Sequence, residues 1–200
     1  MSLLRPGDVQ SAFNELGIPS RFGRAEMARL DTTTPTERPG YVVFPTPEDN
    51  QALSVLALRK QLGVDPAAPP AFFDHPWYLD EPFGDRPCDT GWHVIRMGPL
   101  DDSVERPVYY AEEIRENGQF LPWSSEVLLM LFLHFAATGE RLLERKHTWT
   151  RDRTERTAAR RFVSIGAFGK KGVFVSSHEV GYKSRGLGIC PAIVPPSRTE

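Results

Sequence analysis

The run VLLMLFLHFAA, Val127 to Ala137, limits the choice of fold more than any other stretch of the chain. A helix that is apolar on every side must be enclosed by a protein core or by lipid. Its 11 residues fall short of the roughly 20 needed to span a bilayer, and one of them is a histidine. The run therefore predicts a central core helix over about 124–138. Ser124 or Ser125 can cap its start, Glu126 places negative charge in the first turn, and Gly139 supplies a stop. His134, inside the run, is expected to be a core histidine bonded to a carbonyl or a carboxylate.

Short helices precede it. In GDVQSAFNELG, Val9, Ala12, Phe13 and Leu16 share one face, with Asp8 as the expected N-cap and Gly17 as the stop. GRAEMARL suggests a second helix, DTTTPTERPG a turn-rich linker, and YVVF a strand. PTPEDNQALSVLALRKQLG predicts a third helix, with Thr46 as cap, Pro47 in the first turn and Gly63 as the end. WHVIRM is expected to be a strand, and DDSVERPVYYAEEIRENG a turn followed by a short helical or extended piece.

The last third is β-rich. KHTWT, RRFVSIGAFG, GVFVSSHEV and LGICPAIV are β-branched and aromatic segments bounded by glycine, and FGKKGVF has the look of a hairpin. Helices and strands are partly segregated, which favours an α+β domain with a mainly antiparallel C-terminal sheet over a doubly wound one. Residues 1–200 are expected to form one such domain, with a sub-boundary near 31–40 or 64–91 if any exists.

A net charge of −2 creates no global field towards nucleic acid or an anionic membrane. Two cysteines 102 positions apart make neither a disulfide framework nor a CxxC pair. The start MSLLRPGDVQ lacks a signal-peptide core. A cytoplasmic protein with reduced thiols is the expectation, and the wealth of Arg, Pro and Ala suits a bacterial source.

The segment FFDHPWYLDEPFGDRPCDTGWH, Phe72 to His93, is longer than an idle connection needs to be. Its Asp74, His75, Asp85, Cys88, Asp89 and His93 are of metal-ligating types, but no spacing among them matches a zinc pattern. The plainer expectation is an aromatic lid, in which Phe72, Phe73, Trp77, Tyr78 and Phe83 fold onto the body. Trp77 and Tyr78 are alternatively the candidate contacts for a ligand or partner.

Two further stretches carry candidate chemistry. In SSHEVGYKSRGLG, Ser176 and His178 share a strand face, and Lys183 and Arg185 flank a glycine turn that could hold a phosphate. A nucleophile needs an orienting acid behind its base, and no G-x-S-x-G elbow exists. RDRTERTAARR, residues 151–161, has five arginines and two acids, and is expected to be a solvated loop because it lacks aromatics for base stacking.

No cofactor fingerprint or catalytic motif is present, so the residues do not decide whether the protein is an enzyme. The favoured expectation is a protein- or ligand-binding module without catalysis. The alternative is a small metal-assisted or acid–base hydrolase. Its site would lie between loop 72–93 and the C-terminal sheet, with His75, His93 and His178 as candidate catalytic groups.

Overall fold

The computed structural model describes residues 3–115, 117–156 and 159–195. Five α-helices are α1 (Pro6–Glu15), α2 (Arg24–Thr32), α3 (Val55–Leu62), α4 (Ala111–Arg115) and α5 (Ser124–Thr138). Eight strands are β1 (Tyr41–Thr46), β2 (Gly91–Arg96), β3 (Gln119–Phe120), β4 (His147–Arg153), β5 (Phe162–Gly169), β6 (Gly172–His178), β7 (Leu187–Gly188) and β8 (Ala192–Ile193). They build two four-stranded sheets, ordered β1-β2-β8-β3 and β6-β5-β4-β7. All pairings are antiparallel except β4 with β7. The fold is α+β.

Helix α5 is where its apolar sequence puts it: every residue from Ser124 to His134 is buried. Phe132 packs edge-on against Phe72 and Phe168, and one core cluster joins α1, β1, α3, the 72–83 loop, α5 and strands β5 and β6. Gly139 ends the helix in the left-handed conformation (φ 74°), which glycine adopts without a Cβ penalty. Among the described residues no helix is long and apolar enough to cross a membrane.

Several sequence expectations shift in detail. Asp8 lies in the third position of α1 and accepts the Arg5 N–H at 2.8 Å, so the cap residue is Arg5. Helix α3 starts nine residues later than Thr46: Ser54 caps it by accepting the Ala57 N–H, and Thr46 ends β1 instead. The strand won there because all six residues of β1 are buried between neighbours. Strand β8 does not join the second sheet but inserts between β2 and β3. His134 finds no hydrogen-bond partner for either ring nitrogen among the described residues, and Glu140 stands 3.8 Å away. Burial pushes its pKa down, so it packs as a neutral core imidazole.

The long proline-rich loop is an ordered lid. Phe72, Tyr78 and Phe83 are buried, Phe73 stacks on Phe174, and half-buried Trp77 donates its indole N–H to the Val175 carbonyl at 2.8 Å. Arg59 joins in, pairing with Asp74 at 2.7 Å and donating to the Tyr78 hydroxyl. Gly172 allows the loop to close over the sheet: at φ 96°, a Cβ on it would sit 2.6 Å from the Ala71 carbonyl oxygen. Tyr78 is sealed from contact, while Trp77 is tied by its indole N–H and stays half-exposed.

Candidate functional site

Three consecutive residues of β4 organise the site. The Thr150 hydroxyl meets the Ser124 hydroxyl at 3.0 Å, the Arg151 N–H donates to the Pro122 carbonyl at 2.9 Å, and Asp152 accepts the Ser124 N–H at 2.7 Å. A buried carboxylate thus caps α5 where the helix dipole favours negative charge. Burial still pushes the Asp152 pKa up, against the pull of the Ser124 N–H. The pairing of β4 with β5 shifts register between Trp149 and Arg153, while exposed Arg151 and Arg153 flank buried Asp152.

Glu126, one turn into α5, accepts the Trp123 N–H at 2.9 Å through one oxygen. The other oxygen faces His93 Nδ1 at 3.4 Å, an ion-pair distance. On the far side of the ring, Nε2 lies 2.9 Å from the Asp89 carbonyl, 2.9 Å from the Thr46 hydroxyl and 3.8 Å from Cys88 Sγ. A carbonyl only accepts, so Nε2 carries a proton, and a second proton on Nδ1 suits the carboxylate. Burial alone disfavours the charged ring, but Cys88 and Glu126 outweigh it and raise the His93 pKa well above the ordinary imidazole value. Burial likewise works to raise the Glu126 pKa, but His93 and the Trp123 N–H outweigh it and lower it. The 3.4 Å contact and the direction of both shifts suit a buried imidazolium–carboxylate pair, with the His93 ring stacked on Phe44.

Cys88, His93 and Glu126 offer one ligand atom each within 4.8 Å of one another. Of the metal ligands expected from sequence, the structure brings together Cys88 and His93 and adds Glu126. The others go elsewhere: Asp74 pairs with Arg59, Asp89 turns its carboxylate to Arg86 at 2.9 Å, and His75 and Asp85 are exposed. Sulfur and carboxylate address different nitrogens of the ring. An ion on Nε2 would have Glu126 behind the imidazole, as an orienting partner. The same order (sulfur, Nε2, Nδ1, carboxylate) is that of a thiol triad. Here the sulfur is fully buried, burial raises its pKa, and the Nε2 proton is directed to a backbone carbonyl.

His178 is not part of this group. Its Nε2 meets the Ser164 hydroxyl at 3.2 Å, and its ring stacks on Tyr182 and meets Trp149 edge-on. Burial, with His147 and Arg161 nearby, takes its pKa down to about 4. Its hydroxyl partner is therefore Ser164 on β5, across the sheet, and not Ser176. Lys183 and Arg185 are exposed, and Arg185 faces Glu105 at 3.6 Å.

The arginine run is the larger correction. Its first three residues belong to β4, and the two arginines among them lie over aromatic rings from outside the run. The Arg151 guanidinium carbon sits 4.7 Å from the Trp123 ring centroid and 5.3 Å from that of Phe120, and Arg153 sits 4.4 Å from that of Phe162. Arg86, from the loop, covers Trp123 at 3.7 Å. Buried Glu81 accepts the Glu155 N–H at 2.8 Å and the Arg156 N–H at 3.3 Å, pinning the turn after β4. Three cavities meet at Arg151. One of about 350 Å³ is lined by Arg86, Trp123, Arg151, Arg153 and Arg160 among others, and one of about 160 Å³ by His93, Trp123, Glu126 and Arg151. The third, of about 500 Å³, has mixed walls.

No family model matches the chain, and neither curated proteins nor solved structures yield a match. The site has to be judged on its own chemistry.

Proposed function

We propose that the protein is a ligand-binding module without catalysis, and that its ligand is an anion seated in the groove around Arg151. One observation carries this reading. Arg86 and Arg151 bring two guanidinium groups onto a single indole ring, at 3.7 and 4.7 Å from its centroid. Both groups also line one cavity, together with Arg153 and Arg160, so an anion seated there would meet several positive charges at once. Of the nearby carboxylates, Asp89 pairs with Arg86, Glu126 with His93 and Asp152 with the start of α5, while exposed Glu155 also lines the groove. Among the described residues no carboxylate lies within ion-pair distance of Arg151 or Arg153. Planar guanidiniums held over rings are suited to bidentate recognition of a carboxylate or phosphate. Nucleic acid is a poorer fit, because guanidiniums lie over the rings on which bases would stack.

Titration with inorganic phosphate at low ionic strength, followed by tryptophan fluorescence and calorimetry, tests the reading. Saturable binding is expected, weakened about tenfold or more by Arg151→Ala, since a charged hydrogen bond is worth about 1.5–3 kcal/mol. Lys170→Ala, at an exposed lysine outside the groove, should change nothing. No saturation, or equal affinity in Arg151→Ala, would refute it.

The hydrolase alternative draws on the ring-nitrogen order of Cys88, His93 and Glu126. It requires the Cys88 sulfur to reach a substrate. Alkylation of the native protein by iodoacetamide decides the point: modification at Cys88 with retained fold favours the hydrolase, and protection until unfolding favours a structural cluster.

A further inference from the structure

We infer that the ligand is an amphipathic organic anion, with an oxyanion head on Arg151 and Arg153 and an aromatic or short acyl body in the adjoining 500 Å³ cavity. This rests on the anion-binding reading above and names the class of ligand. The cavity falls within the range of roughly 300–1,000 Å³ that small-molecule sites occupy. Its walls are mixed, and Val108, Ala111, Phe120, Leu121, Phe162 and Val180 supply their apolar half. Its charge is concentrated in Arg115, Arg151, Arg153 and Glu112. Arg151 and Arg153 also line the arginine cavity, so the cationic end is where the two spaces join. A bare inorganic anion would leave the apolar space unfilled.

The rim points the same way. Tyr109 is 57% and Val180 50% exposed, two of the five large hydrophobic side chains left open to water among the described residues, and both line this cavity. Exposed apolar groups that converge on a concave site are a recurrent mark of ligand contact. They come from separate pieces of chain, the short turn before α4 and the segment after β6, so no single local sequence preference explains their meeting. A flat or short-chain body lying against Phe120 and Leu121 would be covered by both while its head reached Arg151.

Carboxylate and phosphate share this head chemistry, and one calorimetric series separates them. Full-length protein is titrated with 1-naphthoate, 1-naphthyl phosphate, naphthalene-1-methanol and inorganic phosphate. At least one aryl anion should bind ten times more tightly than both inorganic phosphate and the neutral alcohol, and the tighter of the two assigns the head. The variant Tyr109→Ala/Val180→Ser, which alters only exposed side chains, should lose at least tenfold for that aryl anion and nothing for inorganic phosphate. If phosphate binds through Arg151 but neither aryl anion binds more tightly, this inference fails and the anion site stands. If the alcohol binds as well as naphthoate and Arg151→Ala is without effect, the head assignment and the anion site both fail. Absence of binding by all four probes overturns both.

Discussion

Replacement of Glu126 by glutamine removes one charge from the buried pair with His93 and keeps its shape. The geometry sets the scale. Two unit charges 3.4 Å apart attract by about 5 kcal/mol at an effective dielectric constant near 20. Both side chains are under a tenth exposed, so desolvation offsets much of that. Truncating one partner of such a pair typically costs about 3–5 kcal/mol because the other charge is stranded. Glutamine is gentler. Its amide can donate to a neutral Nδ1 while its oxygen still accepts the Trp123 N–H, and His93 can discard its proton. The predicted cost at pH 7 is about 1–2 kcal/mol, the price of losing a charged hydrogen bond.

The pH dependence is the sharper test. In the wild type the folded-state pKa of His93 is raised, so its contribution is fully present below the unfolded value near 6.5 and fades as pH rises through the folded value. Glu126 has a lowered pKa, so its share is present above about 4.5 and fades as pH falls through the folded value. In Glu126→Gln the buried ring is neutral, so the folded variant holds one proton fewer than the folded wild type. The unfolded chains titrate His93 alike. The penalty should therefore grow by about 1.4 kcal/mol for each pH unit from 7 to 5. Urea unfolding of both proteins at pH 5, 6 and 7 measures it, with the denaturant slope checked for constancy. A penalty that stays level across that range would show that His93 is not a buried imidazolium, and the electrostatic account of the site would fall with it.

His178→Gln should do the opposite. The folded pKa of His178 is about 4, so the wild type loses stability as pH falls from the unfolded value near 6.5 towards 4, while the unfolded chain takes up the proton. Glutamine can still bond the Ser164 hydroxyl and does not titrate, so the variant should have the flatter acid stability profile by urea unfolding. A profile as steep as wild type would refute it. Phe132→Ala should cost about 3–5 kcal/mol, because the ring is fully buried between Phe72 and Phe168. A loss below 1 kcal/mol in the same assay would mean that the cavity collapses.

Local signals carried the fold further than they carried the site. The unbroken apolar run located α5, and Gly139 its end, because an all-apolar helix and a left-handed glycine are properties of adjacent residues. Gly63 ends α3 as its sequence signals, but the helix starts late because Thr46, Pro47 and Glu48 form a good start signal that burial of the whole β1 strand overrides. The Phe72–His93 segment declared its aromatic packing through composition, and its tally of ligand-type residues held Cys88 and His93. It could not declare Glu126, which lies 33 positions beyond His93 and whose sequence context announces only a helix start.

The arginines show why such sites resist inspection of the chain. Read alone, RDRTERTAARR has no aromatic partner, and a solvated loop is the natural conclusion. Trp123 and Phe120 reach Arg151 because the Arg151 N–H ties β4 to Pro122, and Asp152 and Thr150 clasp the first residue of α5. The same few bonds that start the core helix therefore place the guanidiniums over the rings. Stability and the proposed ligand site share one joint, in which Asp152 caps the helix while its neighbours on either side, Arg151 and Arg153, line the groove. A substitution at Asp152 should then disturb folding and anion binding together, whereas Arg151→Ala should separate them.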